Sequence, residues 1–193
     1  AVGGPARIDR TGLAGDEHAD VRVHGGPEKA VHLFPAEHYA TLVAVFPEAR
    51  HLVPGGLGEN VSVRGLNEAT VCIGDVFACG GARLQVAQPR TPCWKIDARC
   101  GVEGMAAYVA AHGCAGWYFR VLEAGSVSTG DVLVHIARST DPVSLDEFWR
   151  VTAEARPPLA ALERLLRAEG LAAGWIEKLA QRIAWLRANG AGQ

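Results

Sequence analysis

The stretch Ala82-Arg83-Leu84-Gln85-Val86-Ala87-Gln88-Pro89-Arg90-Thr91-Pro92-Cys93-Trp94-Lys95 decides how this chain is read. Its first six residues read as a strand. From Gln88 onward two prolines fix their own φ and push Gln88 and Thr91 toward extended conformations, so the strand hands over to a stiff loop. That loop presents one thiol, Cys93, between Arg90 and Lys95. Cationic neighbours favour thiolate over thiol, and the thiolate is both a nucleophile and a soft-metal ligand. The plain alternative is a buried structural cysteine in a Pro-rich turn, since free Cys is among the most buried residue types.

Outward from this stretch the pattern is of short strands. Residues 70–73, 76–79 and 82–87 predict strands separated by Gly-Asp or Gly-Gly turns, and strands follow at 116–122 and 131–137. Between them a helix is predicted over 103–111, ending near Gly113. Upstream, residues 59–63 alternate as a half-buried strand does and residues 30–34 read as a strand. Pro35 opens a helix through about Val45, with Tyr39, Leu42, Val43 and Phe46 at helical spacing. The first thirty residues, rich in Gly and charge, predict short strands and tight turns. Short strands at close spacing argue for a sandwich or barrel.

After Arg138 the texture changes. Ser144-Leu145-Asp146-Glu147 forms a capping box that opens a helix. Pro157-Pro158 stops it and starts a second, with Leu159, Leu162, Leu165 and Leu166 as its apolar stripe. A third, over 173–188, carries Trp175, Ile176, Leu179, Ile183 and Leu186. The expected fold is α+β, mainly β: a β domain over 1–138 followed by a small three-helix bundle over 144–188. No helix of the three buries its stripe alone, so they pack on each other, on the β domain or on a partner.

Composition bounds the rest. The chain has 193 residues, 49% hydrophobic and 21% charged, with 19 basic and 21 acidic residues for a net charge of −2. That is an ordinary globular composition and gives no ground for nucleic acid or membrane as partner. No apolar run approaches the roughly 20 residues of a membrane span. The five cysteines are odd in number and form no CxxC pair, which argues against a zinc ribbon or a disulfide framework and for a reducing, cytoplasmic compartment.

Arg90, Lys95 and Arg99 lie within ten residues of one another around Cys93, and His24 and Lys29 flank a Gly-Gly turn. If the fold brings these loops together they form a cationic pocket with a thiolate in it, suited to a phosphate-bearing ligand. Taken singly, Arg90, Lys95, Arg99 and Lys29 each read by default as a solvated surface charge. The dinucleotide, Walker, HExxH and GxSxG templates are missing. A thiol enzyme with Cys93 as nucleophile and His24 as base stays open.

Several stretches taken in order resemble the MOSC domain, in particular its YiiM-like subfamily. They are Gly12-Leu13-Ala14-Gly15-Asp16, His24-Gly25-Gly26-Pro27-Glu28-Lys29-Ala30-Val31, Gly58-Glu59-Asn60-Val61, Gln88 to Lys95, and Gly116-Trp117-Tyr118-Phe119-Arg120-Val121-Leu122. The likeness runs from about residue 10 to 138, and the trailing helices resemble the three-helix domain of that subfamily. It implies a β-barrel-like fold and a molybdopterin-type cofactor whose molybdenum is bound by Cys93. His24, Lys29, Arg90, Lys95 and Arg99 would then hold phosphate and pterin, with Asn60 and Thr91 as polar contacts.

The activity implied is reduction of N-hydroxylated compounds, hydroxylaminopurines or amidoximes, to amines or amidines. N–O becomes N–H plus water at the expense of two electrons and two protons. The cysteine spacings match no plant-type ferredoxin motif, so no iron–sulfur cluster is expected in this chain, and no pyridoxal phosphate. Electrons would come from a separate reductase. A cofactor carrier or sulfur-handling module without turnover is the alternative. Family members usually carry an extra segment before the Gly12–Asp16 motif, where about ten residues stand here; a missing barrel strand is therefore expected, exposing a sheet edge or removing part of the pocket.

Overall fold

Residues 4–16 and 25–190 are described by the structure, a computed structural model. Two sheets make the β region. The smaller is antiparallel, in the order β2 (Gly12–Leu13), β1 (Ala6–Asp9), β8 (Gly125–Val127). The larger runs β4 (Val61–Val63), β3 (Val31–Pro35), β7 (Trp117–Glu123), β6 (Ala82–Pro89), β5 (Val76–Cys79), β9 (Leu133–Ala137), and only its β3–β4 pair is parallel. The six-stranded sheet curls into the half-barrel expected of an α+β, mainly β, chain.

Its central strands read as apolar runs because both faces are covered. All five residues of β3 are buried, and Leu33 and Val31 pair with Trp117 and Phe119 of β7. By contrast β9 is an edge, with Val134 and Ile136 exposed on it. One core, holding Val31, Phe77, Leu84, Trp117 and Phe119, continues without a break into Phe148, Leu162, Leu165, Leu179 and Ile183 of the C-terminal helices. A second core forms where α1 (Glu37–Val45), α2 (Lys95–Cys100) and α3 (Met105–His112) cover the other side, around Phe34, Leu42, Leu57, Ile96 and Met105.

The helical unit comprises α4 (Leu145–Ala153), α5 (Leu159–Leu166) and α6 (Ala173–Gly190). Ser144 caps α4 by accepting from Glu147 N at 3.0 Å, as its sequence requires. No helix among the described residues is long and apolar enough to cross a membrane.

Two expectations need correction. Residues 70–73 form no strand; Cys72 makes a single isolated bridge to Ser144. Side chains divert the N–H groups a ladder would use: Asn67 accepts from Ala69 N and Thr70 N at 3.0 and 3.1 Å, and Asp75 from Cys72 N at 2.8 Å. Secondly, the loop that carries Cys93 passes at once into the six-residue helix α2, where the sequence predicts none.

Candidate functional site

The Cys93 loop is fixed at both ends. Where β6 leaves the sheet, Arg90 N donates to Gly116 O at 3.0 Å, tying the loop to the start of β7. That approach needs a glycine: Gly116 has φ 72°, and a Cβ there would stand 2.1 Å from Leu33 O. At the other end Ile96 N donates to Cys93 O at 3.0 Å as α2 begins, and the Ile96 side chain is buried beneath. Cys93 is thus held half-buried between a strand end and a helix start.

It faces a cavity of about 380 Å³. Lys29, Asn60, Arg90, Lys95 and Arg99, all expected from sequence, line the same space, so loops 60 residues apart do meet. His24, also expected there, lies outside the described residues. Thr91 points elsewhere: it lines a separate groove with Trp149, Trp175, Lys178 and Arg182 of the helical unit.

Among the lining residues not expected from sequence are Asp16, His32, Glu59 and Tyr118. His32 and Tyr118 are cross-strand partners on β3 and β7, with rings 5.2 Å apart. The alternation of Trp117 and Phe119 on the core face put Tyr118 on the other face. Only the register between β3 and β7 sets His32 beside it.

Burial, and then the Arg90 charge, push His32 down to about 3, so its imidazole is neutral; Nε2 faces Ala115 O at 3.2 Å and carries the proton in that bond. Burial also raises the Tyr118 hydroxyl, with the Arg90 charge acting against it. Elsewhere burial pushes up the thiols of Cys72, Cys79 and Cys100, and takes Cys114 to about 11. Those four stay protonated and inert.

The cavity rim is built by its own cations. Arg99 donates to Gly56 O at 2.7 Å and Gly55 O at 3.3 Å. Glu59 accepts from Gly55 N at 2.6 Å, from Leu57 N at 3.2 Å and from the Tyr39 hydroxyl. Together they shape the 54–58 loop. Asn60 accepts from His32 N and donates to Asp16 Oδ2, both at 2.7 Å, clasping β3 to the Gly12–Asp16 turn. Arg90 reaches Leu57 O only at 3.4 Å, and its Nη1 is buried with no hydrogen-bond partner among the described residues. A buried, unanswered guanidinium nitrogen beside Lys29, Lys95 and Arg99 is the donor set for an anion.

No group of three or more His, Cys, Asp or Glu side chains able to hold a metal occurs among the described residues. What the cavity offers a metal is one thiol and a ring of cations. That fits a metal arriving with its own anionic ligands.

A fold of this topology with such a cavity defines the class: the chain belongs to the MOSC domain family, whose pattern it matches over residues 20–134. The family is associated with binding of the molybdenum cofactor. Escherichia coli YiiM is 36% identical over 182 residues, spanning 94% of this chain and 81% of its own length. The crystal structure of E. coli YiiM superposes with a TM-score of 0.85 over 95% of this chain and 87% of that one, at 33% identity. Bacillus subtilis YflK, described as uncharacterized, is 42% identical over 166 residues, 86% of this chain and 74% of its own. A Gibberella moniliformis protein named "Reductase" is 36% identical over 150 residues, which is 77% of this chain and 27% of that longer protein.

Proposed function

We propose that this protein is a molybdenum-cofactor-dependent reductase of N-hydroxylated compounds, of the hydroxylaminopurine or amidoxime type, served by a separate electron-donor protein. The observation that carries the reading is the meeting of Cys93 with Lys29, Arg90, Lys95 and Arg99 around one cavity. Family membership and the relative named "Reductase" support it.

In this reading the Cys93 thiolate ligates the metal, and Arg90, Lys29, Lys95 and Arg99 neutralise the phosphate and pterin oxygens. The bound group supplies two-electron redox chemistry at the thiolate. The chain's residues do the rest. Arg90 Nη1 finds its acceptor on the ligand. Neutral His32 adds no positive charge to the cavity floor, and its ring with that of Tyr118 forms a wall against which a flat heterocycle can lie. Reduction of R–NH–OH to R–NH2 and water takes up two electrons from the donor protein and two protons, for which the exposed mouth of the cavity leaves a path from solvent.

The test is expression in a host that makes the cofactor, with bound molybdenum measured in wild type and in Cys93→Ser. Wild type should hold metal and the variant at least about tenfold less, as expected when a metal ligand is removed. Equal metal in both, or none in wild type, ends the reading. Loaded wild type should then reduce an N-hydroxylated purine when given a flavin-dependent reductase; metal without turnover would make the protein a carrier.

A further inference from the structure

The turn that brings Lys29 to the cavity has its other side against the helical unit. Gly25 and Gly26, at φ 90° and 89°, reverse the chain into Pro27–Lys29, and Lys29 N donates to Gly26 O at 2.9 Å. Between these residues and Lys29 stands Glu28, whose carboxylate is turned away from the cavity. It accepts from Ala173 N, the first residue of α6, at 2.9 and 3.1 Å, and from Arg120 Nη2 at 2.9 Å. Its backbone carbonyl accepts from Gln88 Nε2 at 3.1 Å, two residues before Arg90. Ala172 N, one residue earlier, donates to Ala87 O at 2.9 Å. The start of α6 therefore grips both cavity-forming segments from behind: the Lys29 turn and the end of β6.

We infer that Glu28 is a positioning residue of the cavity, holding the Lys29 turn to the first turn of α6, so that the helical unit fixes where Lys29 stands. This deepens the cofactor reading above and rests on it. A carboxylate at a helix N-terminus is favoured both by the free N–H groups and by the helix dipole. Here that preference serves a loop whose next residue lines the site. A helix that shares no residue with the cavity thereby bears on its shape.

The N–H of Ala173 can be removed alone, because proline is tolerated at the first position of a helix. The full chain, free of metal, is compared as wild type, Ala173→Pro, Glu28→Ala and the double variant. Amide exchange at Lys29 should be about tenfold faster in each single variant, the size expected for a lost hydrogen bond to a charged group. Exchange at Leu179 and Ile183 should stay as in wild type. With pyrophosphate as anion probe, each single variant should bind about tenfold more weakly, and the double variant no more weakly than Glu28→Ala, since both changes remove the Glu28–Ala173 bond and only Glu28→Ala also removes the Arg120 pair. Unchanged Lys29 exchange in Glu28→Ala, or additive losses in the double variant, overturns the inference. If Ala173→Pro loses protection throughout α6, Glu28→Ala, which leaves the helix sequence intact, decides. Should wild type fail to bind pyrophosphate, the phosphate reading of the cavity falls, while the exchange arm still decides the role of Glu28.

Discussion

Asp75 and Arg90 are both charges sheltered from water, and they are built on opposite rules. Asp75 is 0% exposed and every acceptor it has is answered. It accepts from Cys72 N at 2.8 Å and from Arg138 Nε and Nη2 at 2.8 and 2.6 Å, with His135 Nε2 3.4 Å away. Arg138 in turn donates to Thr70 O at 2.8 Å. Arg90 has one long bond to Leu57 O, a side-chain bond with the Tyr118 hydroxyl, and a buried Nη1 with no partner among the described residues. Buried polar groups are as a rule paired, so a complete set marks a clasp, and an incomplete one in a cavity wall leaves a donor open to a ligand. The first stands at the joint between the half-barrel and the helices. The second stands beside Cys93.

That contrast can be broken by measurement. The largest effect is expected at the clasp: Asp75→Ala leaves Arg138 and Cys72 N without their acceptor and should cost about 3 kcal/mol in urea unfolding. A loss below about 1 kcal/mol would put the pair among ordinary surface ion pairs. Next is the pH response of the cavity floor. Because the folded state holds His32 down to about 3 against an ordinary 6.5, the unfolded chain binds more protons between these values. Its contribution is complete above pH 6.5 and is lost as pH falls toward 3. Between pH 7 and 5 wild type should lose about 2 kcal/mol more than His32→Asn; parallel losses would show that the ring is not excluded from charge. The smallest change in stability belongs to Arg90→Lys, which keeps the charge and removes the Nη1 donor. Stability should move by no more than about 0.5 kcal/mol, while molybdenum retained from a cofactor-making host falls about tenfold. A variant as unstable as Asp75→Ala with unchanged metal would make Arg90 a clasp too.

Much of this was legible in the sequence where the signal is local. The β6 strand and its proline loop, the capping box at Ser144 and the stripes of α5 and α6 all follow from spacing and composition. So did the gathering of Arg90, Lys95 and Arg99, since a loop and one helical turn keep them close to Cys93. What escaped depends on pairing across the sheet. His32 and Tyr118 are distant in sequence and meet only through the β3–β7 register. Residues 70–73 had strand character, but Asn67 and Asp75 captured their N–H groups. The helix α2 is six residues long with no side-chain cap, too short for periodicity to announce it. Thr91 was placed by proximity to Cys93, but it lines the groove against the helical unit instead.

The continuous core has a consequence for how this chain folds. Phe148, Leu162, Leu165 and Leu179 are buried in the same cluster as Phe77, Leu84 and Trp117. The change of texture after Arg138 is therefore a boundary in composition and not in cooperativity. Heat or denaturant should take the shared cluster apart in one transition, strands and helices together, since neither half of that cluster is closed without the other. Release of the helices should therefore reach the strand that leads into the Cys93 loop, because Leu84 and Val86 of β6 are packed in the same cluster.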